Sequence, residues 1–139
     1  MHLGTRTAAA GLSFHSRLLA DDVQRRLSYY PRALDAAHYV RSNLSGSVRL
    51  EDVADRAGMT ASAFSRYFAE KTGITFSMLL KVLRIEHALD ELESRDGAIA
   101  HVAERTGYQS NCTFSRAFKD VMGKTPSEYR RCFLFAQPN

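Results

Sequence analysis

Phe64-Ser65-Arg66-Tyr67-Phe68 returns fifty residues later as Phe114-Ser115-Arg116-Ala117-Phe118. The match extends outward on both sides. Gly73 aligns with Gly123 and Thr75 with Thr125 at the same offset, while Ala54 and Gly58 align with Ala103 and Gly107 at an offset of 49. The second copy therefore carries one extra residue in its turn. An ordered set of glycines, an alanine and paired aromatics marks two like structural units.

Each copy reads as helix, turn, helix. In the first, Leu50, Val53, Ala54 and Ala57 form an apolar i, i+3, i+4, i+7 stripe. Gly58 stops that helix, because it accepts the left-handed backbone a sharp turn needs. Thr60 caps the next helix by offering its hydroxyl to free N–H groups. Phe64 and Phe68, one turn apart, face inward, and the small Ala54 lets the two helices approach closely. In the second copy Ile99, Val102 and Ala103 make the stripe, Gly107 the stop and Ser110 the cap, with Phe114 and Phe118 inward. The spacing from Ala to Gly to the inward Phe is that of a nucleic-acid-binding helix-turn-helix.

Between the copies, Phe76 to Leu92 contains neither Gly nor Pro and has an apolar face of Phe76, Leu79, Leu80, Leu83 and Leu92. It reads as a linker helix that fixes the distance between units, broken by Ser94-Arg95-Asp96-Gly97. A first helix is expected near Arg32–Leu44, with Pro31 at or before its first turn. Pro126 starts a last short helix through about Arg131. Residues 12–28 have mixed periodicity and could add another helix. The domain plan is thus a flexible or partly helical extension over 1–30, a tandem domain over 31–132 and a tail over 133–139. Within the domain, unit one covers about 31–75, the linker helix about 76–93 and unit two about 96–132.

Composition bounds the class. Hydrophobic residues make up 45% of the 139, enough for a core, and no β-branched run is sustained, so the fold class is all-α. The formal charge of +4 is a modest positive excess, which fits a polyanionic partner without demonstrating one. No apolar run approaches the ~18–20 residues of a membrane span. The first twenty residues hold Arg6 and Arg17 and no acid, faintly like an organellar transit peptide, but lack the apolar stretch of a secretory signal. Cys112 and Cys132 belong to no CxxC pair and read as reduced thiols.

These residues resemble the DNA-binding domain of the AraC/XylS transcription regulators. The resemblance covers roughly Arg32 to Arg131. It rests on the AxxxG turns, the paired Phe-Ser-Arg-X-Phe segments, Gly73-Ile74-Thr75-Phe76 and the closing run Gly123-Lys124-Thr125-Pro126-Ser127-Glu128-Tyr129-Arg130. It implies about seven helices in two homeodomain-like helix-turn-helix subdomains bridged by the linker helix. Their recognition helices would enter successive major grooves, ~34–36 Å apart, so that a monomer reads two half-sites on double-stranded DNA. It also implies a cytoplasmic bacterial protein at the nucleoid, more often an activator touching RNA polymerase than a repressor. Many members carry a large N-terminal effector domain. The residues before helix one are too few to form it, so the chain reads as the stand-alone type or a fragment.

Helical geometry sorts the candidate contacts. With Phe64 and Phe68 inward, Ser62, Arg66 and Ala69 point outward, with Ser65 at the edge. The matching face of unit two carries Cys112, Arg116 and Lys119, with Ser115 at the edge and Asn111 in the first turn. Arg66 and Arg116 are the expected base readers, because the guanidinium fork bonds guanine O6 and N7 together. Ser62, Ser65, Asn111, Cys112 and Ser115 assist. Thr60 and Ser110, at helix N-termini, and Lys71, Lys119 and Lys124 are assigned to phosphates. Arg49 stands where the family usually has a capping Ser, which leaves the cap to Ser47 or Arg49 to a phosphate. Arg84, on the linker helix, is assigned to structure.

Other classes fare worse. The five histidines show no HxxxH or HExxH spacing, and neither a P-loop nor GxGxxG is present, so no catalytic or metal site is expected. A helical interaction module without DNA binding is the alternative, disfavoured by the two outward arginines. A redox switch at Cys112 competes with a plain packing role for that thiol.

Overall fold

The computed structural model describes residues 13–94 and 97–136. Among these there are eight helices and no strand. They are α1 (Asp21–Tyr29), α2 (Pro31–Ser42), α3 (Leu50–Arg56), α4 (Ala61–Thr72), α5 (Phe76–Leu92), α6 (Ile99–Arg105), α7 (Asn111–Met122) and α8 (Pro126–Phe135). The seven from α2 onward follow the order expected from sequence, and α1 is added before them. The chain forms two compact units. Unit 1 takes the chain up to Ser42 together with Val48–Leu80, and unit 2 takes Asn43–Ser47 together with the chain from Lys81.

In unit 1, α3 and α4 form the helix-turn-helix. The turn is a Schellman motif: Met59 N–H donates to Ala54 O at 2.9 Å and Gly58 N–H to Asp55 O at 3.0 Å. That motif needs a left-handed residue at its centre, and Gly58 supplies φ +72°. Phe64 and Phe68 are fully buried, 5.7 Å apart, and Phe76 meets both edge-on at 5.9 and 5.7 Å. Such a cluster of three rings combines large apolar burial with favourable edge-to-face geometry. Phe76 and Leu79, the start of α5, therefore belong to the core of unit 1. Val53 and Ala54 of the predicted stripe are buried, while Leu50 and Ala57 at its ends are half-buried.

Unit 2 repeats the arrangement in α6 and α7. Tyr108 N–H donates to Ala103 O at 3.2 Å and Gly107 N–H to Glu104 O at 3.3 Å, the same Schellman pair, with Gly107 at φ +89°. Phe114 and Phe118 are fully buried, as are Val102 and Ala103 on the helix that packs against theirs. The rest of α5 supplies Val82, Leu83, Ile85, Ala88, Leu89 and Leu92. This face is wider than the stripe named from sequence, as a helix enclosed on several sides requires. Leu44, from the Asn43–Ser47 loop, is also buried in this unit.

The closing run proves to be a structural clasp. Thr125 and Glu128 form a reciprocal capping box, and Pro126 occupies the first turn of α8. Tyr129 Oη donates to Glu93 Oε2 at 2.7 Å. Arg130 donates to the carbonyls of Leu92 at 3.1 Å and Gly97 at 2.8 Å. It thus satisfies acceptors that the end of α5 and the following turn leave open. α8 continues to Phe135 rather than stopping near Arg131, because Cys132-Phe133-Leu134-Phe135 carries no stop signal and Phe133 stacks on Tyr129 at 6.2 Å.

Residues 13–20 are not helical, which narrows the helix suggested over 12–28 to α1 (residue 12 lies outside the described residues). Phe14, Leu19 and Leu27 are nonetheless buried.

Candidate nucleic-acid interface

The second helix of each unit begins at a side-chain cap. Thr60 Oγ1 accepts from Ala63 N–H and Ser110 Oγ from Thr113 N–H, both at 3.1 Å. Ser110 also donates to Thr113 Oγ1 at 2.9 Å. These hydroxyls are committed to capping. What either end can offer an anion is backbone N–H of the first turn.

The outward faces carry the predicted readers. On α4, Ser62, Ser65 and Arg66 are exposed, and Arg66 Nη1 donates to Ser62 Oγ at 3.2 Å. On α7, Asn111, Cys112, Arg116 and Lys119 are exposed and Ser115 is half-buried. Arg116 Nη2 lies 3.9 Å from Cys112 Sγ, the same one-turn relationship. Among the described residues neither Arg66 nor Arg116 takes part in an ion pair, whereas Arg56 is paired with Asp35 and Arg105 with Glu91. Each face thus presents a guanidinium fork beside short polar groups, suited to a paired acceptor on a flat surface.

The other basic residues separate. Lys119 shares the face of Arg116, and Lys124 follows it past Gly123, its Nζ 4.0 Å from Cys132 Sγ. Lys71 does not join the Arg66 face. It lies about 140° further round the helix, with Nζ 5.4 Å above the ring of Tyr30. Arg49 itself occupies the N-cap of α3 and makes no side-chain capping bond. Its guanidinium is exposed, 3.9 Å from Glu51. Arg84 is structural: its guanidinium lies 5.6 Å over Tyr108, Nη2 donates to Gly46 O at 3.4 Å, and burial holds its pKa below the usual value.

Sequence reasoning missed the support behind α4. α1 packs against both α2 and α4. The signal available was a pair of aromatics, Tyr29-Tyr30, just before Pro31. Among the described residues no group of three or more His, Cys, Asp or Glu side chains is placed to hold a metal ion. No helix there is long and apolar enough to cross a membrane.

Comparison with known proteins places this geometry. A family model described as a helix-turn-helix domain matches residues 53–132. The Transposon Tn10 TetD protein of Escherichia coli is 35% identical over 97 residues, 70% of each chain. An uncharacterized HTH-type transcriptional regulator of Staphylococcus aureus is 33% identical over 92 residues, which are 66% of this chain but 12% of that longer protein. The DNA-binding domain of the global transcriptional factor AdpA, solved in complex with a target DNA, superposes with a TM-score of 0.72 at 28% identity. The match covers 78% of this chain and 97% of that one.

Fold and site together define a DNA-binding domain built of two helix-turn-helix units. The chain belongs to the AraC-type family of DNA-binding transcription regulators.

Proposed function

We propose that the chain reads two adjacent stretches of major groove on double-stranded DNA, one with α4 and one with α7. The observation that carries this is the matched placement of Arg66 and Arg116. Both are exposed, outside any ion pair among the described residues, and steadied by the side chain one turn back. Arg66, with Ser62 and Ser65, reads one segment. Arg116, with Asn111, Cys112 and Ser115, reads the other. Register on the duplex comes from phosphate contacts at the N-termini beginning at Thr60 and Ser110, and from Arg49, Lys119 and Lys124. That AdpA's DNA-binding domain was solved on a target DNA supports the assignment.

The two halves are unequal. α7 offers Asn111, Cys112, Arg116 and Lys119 where α4 has Ala61, Ser62, Arg66 and Ala69, so the α7 half-site is the more stringent. One chain carries both readers and binds as a monomer, acting at the nucleoid as an activator that touches RNA polymerase. Selection of duplexes from a random pool tests the reading. Two short conserved segments about one helical turn apart are predicted, and a pool that never enriches contradicts it. In vitro transcription from a promoter bearing the selected site should then rise on addition of protein. A fall would make the chain a repressor.

A further inference from the structure

Residues 13–30 lie before the stretch the family model matches, yet they build part of unit 1. Residues 13–20 are held without a helix. Ser16 Oγ accepts from Leu18 and Leu19 N–H at 3.1 Å. Gln24 reaches back from α1 to accept from Ser16 N–H at 3.0 Å and donate to Leu19 O at 2.8 Å. Phe14 is buried, edge-on to His38 at 5.5 Å, with the Arg41 guanidinium 4.1 Å from its ring centre.

This folded segment bears on α4 at three points. Lys71 Nζ sits over the Tyr30 ring at 5.4 Å. Tyr67 is half-buried close to Tyr30 and Arg32, and burial raises its pKa. A Cβ at Gly73 would lie 3.9 Å from Arg26 Nη1, which puts that cation beside the C-terminal end of α4, where the helix dipole favours it. In the second copy of the repeat, Tyr67 and Lys71 are replaced by Ala117 and Val121. The edge of α4 that receives α1 is therefore specialised in sequence as well as in contact.

We propose that residues 13–30 form a built-in brace that sets the pose of α4, so that groove contact by Arg66 depends on α1. The proposal rests on the reading of α4 and α7 as groove-entering helices. Tyr30, Tyr67 and Lys71 are then positioning residues that never touch DNA. The physical basis is that a side chain reads a base only when its support is fixed to within about half an ångström.

The test uses the full chain and a duplex that the unaltered chain selects from a random pool. Hydroxyl-radical footprints of Arg66→Ala and Arg116→Ala assign its two halves. The double substitution Tyr67→Ala/Lys71→Val gives α4 the residues of α7. It should weaken affinity about tenfold, the scale of one lost base contact. Protection should be lost over the Arg66 half and kept over the other. Without DNA, amide exchange should quicken across 21–30 and 61–72 and not across 111–122. Tyr30→Leu keeps apolar bulk but removes the π face under Lys71, and should act in the same direction more weakly. Faster exchange with an unchanged footprint would overturn the proposal, as would equal loss over both halves. If the unaltered chain selects no duplex, the DNA reading itself fails, an outcome distinct from an intact footprint that ignores the brace.

Discussion

Arg66 Nη1 donates to the Ser62 hydroxyl one turn back on α4, at 3.2 Å. The bond lies along the exposed face and orders a long side chain before any partner arrives. Ordering such a side chain on binding otherwise costs about 0.5–1.5 kcal/mol. Ser62→Ala should therefore weaken specific binding by about that amount in a fluorescence-anisotropy titration. Cys112→Ser gives α7 the same hydroxyl and should bind at least as tightly as the unaltered chain. Alkylation of Cys112 adds bulk to the face itself and should prevent binding, and bound duplex should slow the alkylation. Alkylated protein that binds normally would remove Cys112 from the interface.

The cations divide by where they point. Lys119 shares the Arg116 face, so Lys119→Ala should lower the slope of log K against log[salt] by about 1. Lys124→Ala is predicted to do likewise. Lys71→Ala should leave the slope unchanged, because its ammonium is held over Tyr30. A slope that falls equally in all three variants would return Lys71 to the phosphate set.

Gly58 and Gly107 hold the same place in their Schellman turns but not the same surroundings. A Cβ at Gly58 meets nothing within 4 Å, whereas one at Gly107 would run into the Leu44 carbonyl oxygen and the Arg84 guanidinium. Gly58→Ala should cost only the left-handed strain of about 1–2 kcal/mol. Gly107→Ala should add an overpacking cost of about 1–3 kcal/mol. Chemical denaturation of the two variants measures the difference, and equal costs would contradict the close approach.

The Arg105 guanidinium hydrogen-bonds the Glu91 carboxylate and holds its pKa below the ordinary value. A carboxylate shifted down contributes stability that is complete above the unfolded Glu pKa of about 4.3 and is lost as pH falls through the lower folded value. Arg105 is shifted up and stays charged throughout. The thermal midpoint of the unaltered chain should exceed that of Glu91→Gln at neutral pH, with the gap closing in acid. A gap that does not begin to narrow as pH falls below the unfolded Glu value of about 4.3 would contradict the assignment.

Much of the fold was legible because both copies of the repeat obey the same local rules. Gly58 and Gly107, the caps Thr60 and Ser110, and the two Phe pairs each follow from backbone or packing chemistry within a few residues. α5 was also readable from end to end. Residues 13–20 were not, since their order comes from Ser16 and Gln24 side chains bonding backbone, with one buried ring, Phe14, and no period to detect. The far end of α8 escaped for the opposite reason, as nothing in Cys132–Phe135 signals a stop. In the candidate site, helical spacing sufficed to put Arg66 and Arg116 on exposed faces. The placement of Lys71 was not legible, because composition gives a charge but not the Tyr30 ring beneath it.

On the proposed reading, Arg66 and Arg116 contact different bases of one site. The most direct measurement is the affinity of the unaltered chain, Arg66→Ala and Arg116→Ala for every single-base variant of the selected duplex. Each substitution should cost about 1–3 kcal/mol and flatten base preference at its own segment only, the two segments lying about 10 base pairs apart. Preferences that flatten at the same positions in both variants, or at none, would contradict it.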